Sequence, residues 1–266
     1  MDNITDYYLN EKSIYYKNDK GIIVCDDAFM FLERIKSNSA DIVFLDPPFN
    51  LGKKYGNSNK ADDLKSDDKY MGFINKIICE SVRVLKNGGA LYLYHIPKWA
   101  FVFADYLSET LNFRHWISIS MKNGFVRQDY LYPAHYALLY FTKGEPGNFS
   151  RPKIPAPRCR HCGDYIKDYG GYEKYIEQGI NLSDVWVDLS PVRHSKYKNR
   201  SSNELPVDLL RRIVKISGVV NGLLVDPFVG AGTSVVASIE NEMNFIVCDR
   251  EETSCEVTRD RYLENN

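Results

Sequence analysis

Short apolar runs alternate with segments of helical spacing along most of this chain. The runs GIIVC, DIVFL, ALYLY and GLLV are typical of buried strands. Between them, AFMFLERIK and FINKIICESVRVLKNGG repeat apolar residues at the spacing of a helix, and the second helix is expected to end at Gly88 and Gly89. Strands that alternate with helices predict an α/β fold with a doubly wound, mostly parallel sheet, whose sites lie at the carboxyl ends of the strands.

Two neighbouring runs, HWISISM and YALLYFTKG, predict an antiparallel strand pair. The periodicity is poor from about residue 145 to 200, where several prolines cluster, so we interpret this part as an insertion outside the core. The chain then divides into a first half of one domain (1–144), an insertion expected to read the substrate (145–200) and a second half of the same domain (201–266).

The charge of the chain is uneven although the net charge is only −1. Residues 143–215 carry 14 basic and 9 acidic side chains, a balance of +5, together with many tyrosines and prolines. This composition is typical of an irregular surface that contacts phosphates, and a solvated face without a partner is the alternative. The sequence shows neither a long apolar run nor a signal peptide, so we expect no membrane partner and a cytoplasmic location.

The six cysteines are few for this length, and we expect reduced thiols. Only Cys159 and Cys162 form a C-x-x-C pair, which is either a tight turn or half of a zinc site. Because no second pair is visible, we expect no metal. We also expect no catalytic duty for His95, His115 and His135.

The segment GLLVDPFVGAGTS combines a strand, a glycine turn and a helix that begins near Thr233. Gly230 and Gly232 allow the backbone to approach a ligand, and Asp249, at the end of the next strand, suits ribose hydroxyls. An acid at the turn, Asp226, disfavours phosphate and favours a cationic ligand such as S-adenosylmethionine. The alternative is a turn that only allows tight packing of strand and helix.

The segment IVFLDPPFN ends a strand with an acid and two prolines. The prolines hold the chain extended and supply no amide donors, so the segment mainly accepts hydrogen bonds. The Asp46 carboxylate and the Pro47 carbonyl could bind the two hydrogens of an exocyclic amine, while Phe49 stacks on the base. A plain strand exit is the alternative.

The motif D-P-P-F (46–49), followed later by D-P-F-V-G-A-G-T (226–233), resembles the DNA amino-methyltransferases, which methylate N6 of adenine or N4 of cytosine. This order, with an insertion between the motifs, is similar to the circularly permuted β class. The resemblance implies a Rossmann-like fold dependent on S-adenosylmethionine, with the catalytic motif in 1–144, target recognition in 145–200 and cofactor binding in 201–266. The residues that match the catalytic motif are Asp46, Pro47, Pro48 and Phe49. Those that match cofactor contacts are Asp27, Asp226, Phe228, Gly230, Gly232, Thr233 and Asp249; for Asp27, an acid favoured at the amino end of a helix is the alternative.

One departure from the family is Leu205-Pro206 where Lys-Pro is frequent, and Asn203 could replace the lysine. The leading hypothesis is methylation of adenine N6 in a flipped base of double-stranded DNA. Cytosine N4 is the alternative within the family, and an RNA or protein methyltransferase or a non-catalytic DNA-binding module are further alternatives. A homodimer and a cognate restriction endonuclease are open as partners. The basic residues expected to contact phosphates are Lys53, Lys54, Lys196, Lys198 and Arg200.

Overall fold

The computed structural model describes residues 4–9, 11–50, 66–120, 129, 131–159, 161–166, 176–189 and 204–265. The strands are β1 (Ile14–Lys17), β2 (Gly21–Cys25), β3 (Ala40–Leu45), β4 (Leu85–His95), β5 (Asn112–Ser120), β6 (His135–Thr142), β7 (Lys153–Ile154), β8 (Ile180–Asn181), β9 (Val185–Trp186), β10 (Leu223–Asp226) and β11 (Asn244–Asp249). The helices are α1 (Ala28–Glu33), α2 (Asp67–Val84), α3 (Pro97–Ser108), α4 (Val207–Ser217), α5 (Thr233–Glu240) and α6 (Glu252–Asn265). None of these helices combines the length and the apolar character needed to cross a membrane.

Within the described ranges, nine strands form one sheet in the order β1-β2-β11-β10-β3-β4-β6-β5-β9, and β7 pairs with β8 separately. The strands from β2 to β4 in this order are parallel. The β5 and β6 strands pair antiparallel to each other, as their sequences predict, and β6 joins the sheet antiparallel to β4. The predicted α/β class with a mostly parallel sheet and an antiparallel pair is therefore confirmed.

Both faces of the sheet are covered by helices, which explains why the central strands are apolar at nearly every position. Successive residues of a strand point to opposite faces. Val43 and Leu45 of β3 accordingly belong to the core that includes residues of α1, α2 and α3, whereas Ile42 and Phe44 belong to the core that includes α4. A third apolar cluster lies between α5, α6 and the β2–β11 side of the sheet.

The second predicted helix ends earlier than its sequence indicates. The α2 helix stops at Val84, and Leu85 adopts an extended backbone (φ −69°, ψ 131°) because it pairs with Ala40 of β3. Gly88 therefore lies inside β4, at a positive φ of 82°, and its N–H donates to the carbonyl of Lys143 at 2.7 Å. The expectation that the glycines end the helix is wrong, because strand pairing overrides helical spacing at Leu85.

Part of the segment 145–200 contributes to the core. The β9 strand pairs with β5, and Trp186 is only 1% exposed among the apolar side chains around Ile117 and Ile119. Its indole N–H donates to the carbonyl of Ser183 at 2.7 Å, so the buried ring has its polar group satisfied. The expectation that this segment lies outside the core is therefore wrong for β9.

The end of β10 is shaped by a buried carboxylate. Asp226 is 2% exposed, and its two oxygens accept hydrogen bonds from the Phe228 N–H (2.9 Å) and the Ser234 hydroxyl (2.6 Å). These contacts join the strand end to the turn and to the first residues of α5. Burial raises the pKa of Asp226 to about 7, and the negative charge of Asp249 acts in the same direction.

The raised pKa of Asp226 predicts a pH-dependent stability. The folded chain binds this proton more tightly than the unfolded chain, where an aspartate titrates near pH ~3.9, so the stabilisation present at low pH is lost as the pH rises through about 7. Asp226→Asn keeps the shape of the side chain and removes the titration. In urea unfolding, we expect the variant to gain about 2 kcal/mol relative to wild type between about pH 5 and about pH 8. Parallel pH profiles of the two proteins would contradict this assignment.

Candidate active site

The candidate site lies along the carboxyl edge of the five parallel strands. In spatial order, β2 leads to Asp27, β11 ends at Asp249, β10 ends at Asp226, β3 leads to Asp46 and β4 ends at His95. The registers Asp249 with Cys25 and Val225 with Val43 keep these strand ends level. The two motifs that are about 180 residues apart in sequence are thus held on adjacent strands.

The aromatic residue of the D-P-P-F motif is packed among other rings. Phe49 is 8% exposed, and its ring centroid lies 4.8 Å from His95, 5.7 Å from Tyr136 and 6.0 Å from Tyr94. Burial raises the pKa of both Tyr94 and Tyr136, and the carboxylate of Asp46 raises both further. The two phenols therefore stay protonated beside this acid, in an aromatic wall that includes Phe49.

The backbone of the motif is anchored from outside. Pro48 accepts a hydrogen bond at its carbonyl from the Tyr70 hydroxyl (2.5 Å), and this hydroxyl also lies 2.6 Å from Nε2 of His95. Sequence reasoning gave no role to His95 and did not single out Tyr70. His95 could have been recognised as a site residue from its position, because it ends the strand that follows the D-P-P-F strand in the chain.

The glycine turn requires the backbone that only glycine adopts readily. Gly230 and Gly232 have positive φ values of 56° and 78°, and a Cβ on Gly232 would lie 3.0 Å from Cα of Thr258. The Gly230 N–H donates to the Asp249 carboxylate at 3.1 Å. As predicted, α5 begins at Thr233, immediately after the turn. The turn lies between two strand ends that carry carboxylates, and at Gly232 the missing side chain allows close packing against α6.

Asp27 and Asp249 also fix the backbone around them. Asp27 caps α1 and accepts hydrogen bonds from the N–H groups of Phe29 (2.9 Å) and Met30 (3.3 Å). Asp249 additionally accepts from the Glu251 N–H at 2.9 Å. Because each carboxylate is held by backbone donors, these charges have set positions. A ligand that carries hydroxyl or ammonium groups fits this acidic edge better than a phosphate does.

The segment that begins with Leu205 reaches the glycine turn from the other side. The Thr233 hydroxyl donates to the Leu205 carbonyl at 3.3 Å. Next to it, Arg261 forms an ion pair with Glu204 at 3.1 Å and donates to the Ala231 carbonyl at 2.7 Å. The Leu205-Pro206 departure is thus located at the turn, but it offers no lysine there. Asn203, the expected substitute, lies outside the described residues.

Several predicted residues fall outside the described ranges. They are Lys53, Lys54, Lys196, Lys198 and Arg200. Cys159 is described and forms a tight turn in which the Gly163 N–H donates to its carbonyl at 2.9 Å. No group of three or more potential metal ligands occurs among the residues that the structure describes. The tight turn is present, and the zinc site that is the alternative for Cys159 and Cys162 stays a prediction.

The sequence is similar to known DNA methyltransferases. A family profile described as DNA methylase matches residues 40–260. The chain is 44% identical to the type II methyltransferase M.BamHI of Bacillus amyloliquefaciens over 86% of its own length and 54% of that protein. It is 30% identical to the type II methyltransferase M.HpaI of Haemophilus parainfluenzae over 79% of its own length and 64% of that protein. The chain thus spans about half to two thirds of these relatives.

Two solved structures show the same fold. The PvuII DNA methyltransferase (cytosine-N4-specific) matches 96% of this chain and 91% of its own with a TM-score of 0.71 at 13% identity. The M1.HpyAVI–SAM complex matches 90% of this chain and 97% of its own with a TM-score of 0.62 at 18% identity. Because the family profile covers most of the sequence, this chain belongs to the DNA methylase family of N6-adenine and N4-cytosine methyltransferases.

Proposed function

We propose that this chain transfers a methyl group from S-adenosylmethionine to the exocyclic amine of a base in DNA. The observation that carries the proposal is the adjacency of β3 and β10, which places the D-P-P-F motif beside the glycine turn. A methyl donor seated on the turn and an amine held at the motif would therefore be neighbours. Membership of the family and the names of the type II methyltransferase relatives support the same reaction.

The residues at the acidic edge fit S-adenosylmethionine. Gly230 and Gly232 give the turn its positive φ values, and Asp249, which is held by the Gly230 N–H, is assigned to the ribose hydroxyls. We assign the adenine end to Asp27 and the methionine end to the part of the turn around Phe228 and Thr233. Asp226 contributes indirectly, because its buried carboxylate accepts hydrogen bonds that hold the turn in place. When bound, the cofactor supplies an electrophilic methyl group.

The D-P-P-F motif would prepare the amine for attack. An exocyclic amine is a poor nucleophile because its lone pair is delocalised into the ring. Two acceptors, the Asp46 carboxylate and the Pro47 carbonyl, bind its hydrogens, favour a pyramidal nitrogen and localise the lone pair. A neutral amine is too weak an acid to lose its proton first. The proton therefore leaves after the methyl group has been transferred, when the nitrogen carries positive charge.

Adenine N6 is the target base that we propose, since D-P-P-aromatic is the more usual motif for adenine in the resembled family. The two acceptors at the motif bind any planar amine, so cytosine N4 is the second candidate, and PvuII methyltransferase, a structural neighbour, is named as cytosine-N4-specific. The base must leave the helix to reach a site at a strand edge. Double-stranded DNA is the proposed substrate, and a homodimer, a cognate restriction endonuclease and a cytoplasmic location stay predictions.

The test is a methyl-transfer assay on unmethylated DNA, followed by mass spectrometry of the nucleosides. We expect N6-methyladenine, whereas N4-methylcytosine alone would move the assignment to the second candidate.

Asp46→Ala is expected to keep cofactor affinity and lose turnover, since Asp46 is placed at the amine. Asp249→Ala is expected to weaken cofactor binding by about 1 to 3 kcal/mol through lost charged hydrogen bonds.

The matched control is Asp105→Ala, which removes an exposed carboxylate from α3. We expect wild-type turnover and wild-type cofactor affinity for this variant. Calorimetry with the cofactor, followed by a methyl-transfer assay on mixed DNA, distinguishes the enzyme from a non-catalytic binding module. Cofactor binding without methyl transfer to any DNA would favour the module. Transfer to RNA or to protein in preference to DNA would overturn the proposed substrate.

A further prediction concerns the basic residues assigned to the DNA surface. If Lys196 and Lys198 contact phosphates, their replacement by Gln should weaken binding to all DNA sequences alike. Each lost contact should reduce the slope of log affinity against log salt by about 0.9. Lys20→Gln is the control, because Lys20 lies at the amino end of β2, opposite the candidate site. An unchanged salt slope in the double variant would show that these lysines face solvent.

A further inference from the structure

A buried histidine lies directly beneath the D-P-P-F motif. His95 is the last residue of β4, and its side chain is fully buried. Its Nδ1 lies 2.8 Å from the Ile96 backbone N–H, which can only donate. Nδ1 is therefore the unprotonated nitrogen, and the neutral ring carries its hydrogen on Nε2. Burial lowers the pKa of His95 to about 3, so the ring stays neutral at ordinary pH.

The hydrogen on Nε2 determines the direction of the next hydrogen bond. Nε2 lies 2.6 Å from the hydroxyl oxygen of Tyr70, a residue of α2 that is 1% exposed. The imidazole donates to this oxygen, which leaves the phenolic hydrogen for the Pro48 carbonyl at 2.5 Å. The carbonyl can only accept, so all three groups are satisfied in one arrangement. These two hydrogen bonds run in series from the imidazole through the phenol to the motif, and they strengthen each other.

The surroundings keep water out of this chain of hydrogen bonds. The Tyr70 ring lies 4.8 Å from Trp99, and the His95 ring lies 5.8 Å from Phe103, measured between centroids. Trp99 and Phe103 are themselves buried. In this apolar setting, the loss of one partner leaves a buried polar group unsatisfied. The geometry therefore fixes the Pro48 carbonyl firmly.

The motif needs an anchor of this kind because it has few donors of its own. Pro47 and Pro48 have no backbone N–H, so neither can bind a neighbouring carbonyl. The motif is instead held through an acceptor, because the Tyr70 hydroxyl donates to the Pro48 carbonyl. The His95 ring additionally packs against Phe49, with 4.8 Å between centroids. His95 thus touches the motif through Tyr70 at one residue and directly at the next.

We propose that His95 and Tyr70 are positioning residues of the methyl-transfer step: they hold the Pro48 carbonyl so that the preceding Asp46 carboxylate and Pro47 carbonyl face the target amine. The inference rests on the proposed function. Neither residue contacts substrate in this role, and neither exchanges a proton during turnover. Their contribution is the orientation of two acceptors whose displacement by about 1 Å would cost up to about 100-fold in rate.

The test compares two tyrosines that differ in what their hydroxyls hold. Tyr70→Phe removes the hydroxyl that donates to Pro48. Tyr92→Phe is the matched control, because Tyr92 is equally buried, lies on β4 and donates or accepts at 2.7 Å with Ser217, which is remote from the motif in sequence and on α4. Both changes delete one hydroxyl that is hydrogen-bonded in the core, so both are expected to lower stability. Only Tyr70→Phe is expected to slow single-turnover methyl transfer, by about 10- to 100-fold, with cofactor and DNA affinities within about twofold of wild type.

A double variant tests whether the two residues act in series. His95→Phe keeps a ring against Phe49 and removes the nitrogen that donates to Tyr70. If His95 acts through Tyr70, the variant with both changes should be about as slow as the slower single variant, instead of showing the product of the two effects. Multiplicative effects would overturn the serial arrangement. Urea unfolding of each variant identifies any that fails to fold, and Tyr70→Phe, which deletes a single atom, then decides alone.

The outcomes separate this inference from the function on which it rests. A wild-type chain that transfers no methyl group to DNA would overturn both. An active wild type with a Tyr70→Phe variant of equal single-turnover rate would overturn the positioning role alone. Equal slowing by Tyr70→Phe and Tyr92→Phe would do the same, because it would reduce the effect to general stability.

Discussion

Parallel pairing of β2, β11, β10, β3 and β4 is the constraint on which the site depends. Parallel strands direct their carboxyl ends to one edge, so every residue that follows them meets there. The register between β10 and β3 brings the glycine turn beside the D-P-P-F motif, although the two are about 180 residues apart in sequence. Helices on both faces bury these strands and leave this edge as the place where side chains with chemical function can gather.

The carboxylates of this edge are held by the main chain. Asp27 and Asp226 accept hydrogen bonds from backbone N–H groups that follow them in the chain, whereas Asp249 accepts from Glu251, which follows it, and from Gly230 in the neighbouring glycine turn. Backbone donors at fixed positions orient a carboxylate without mobile side chains. The lone pairs that are not used in these hydrogen bonds therefore point in a set direction. In the D-P-P-F motif, the main chain is held by a side chain instead. Its prolines lack donors, and a side chain from α2 provides one. Preorganisation on both sides of the site is therefore achieved through hydrogen bonds to the main chain.

The sequence predicts what burial on two faces dictates and misses what depends on distant contacts. The central strands are recognisable because they are apolar throughout, and the start of α5 follows from the glycines before Thr233. The end of α2 is not recognisable, because it depends on the pairing of Leu85 with Ala40. Trp186 lies in a strand of two residues, which carries no period. The role of His95 depends on Tyr70, which is 25 residues away and on another element.

The same sheet makes the order of the two motifs along the chain unimportant for the site. The proposed reaction needs the D-P-P-F motif next to the glycine turn, and the adjacency of β3 and β10 provides this whichever motif comes first in the sequence. Between them the described chain forms α2, β4, α3, the antiparallel pair β5 and β6, the short strands β7, β8 and β9, and α4 before it returns to β10. Because β9 extends the same sheet through β5, the intervening segment is held by the fold at its far edge. The part of the segment that is tied to the sheet in this way keeps a fixed place relative to the site, which a freely attached insertion would not do.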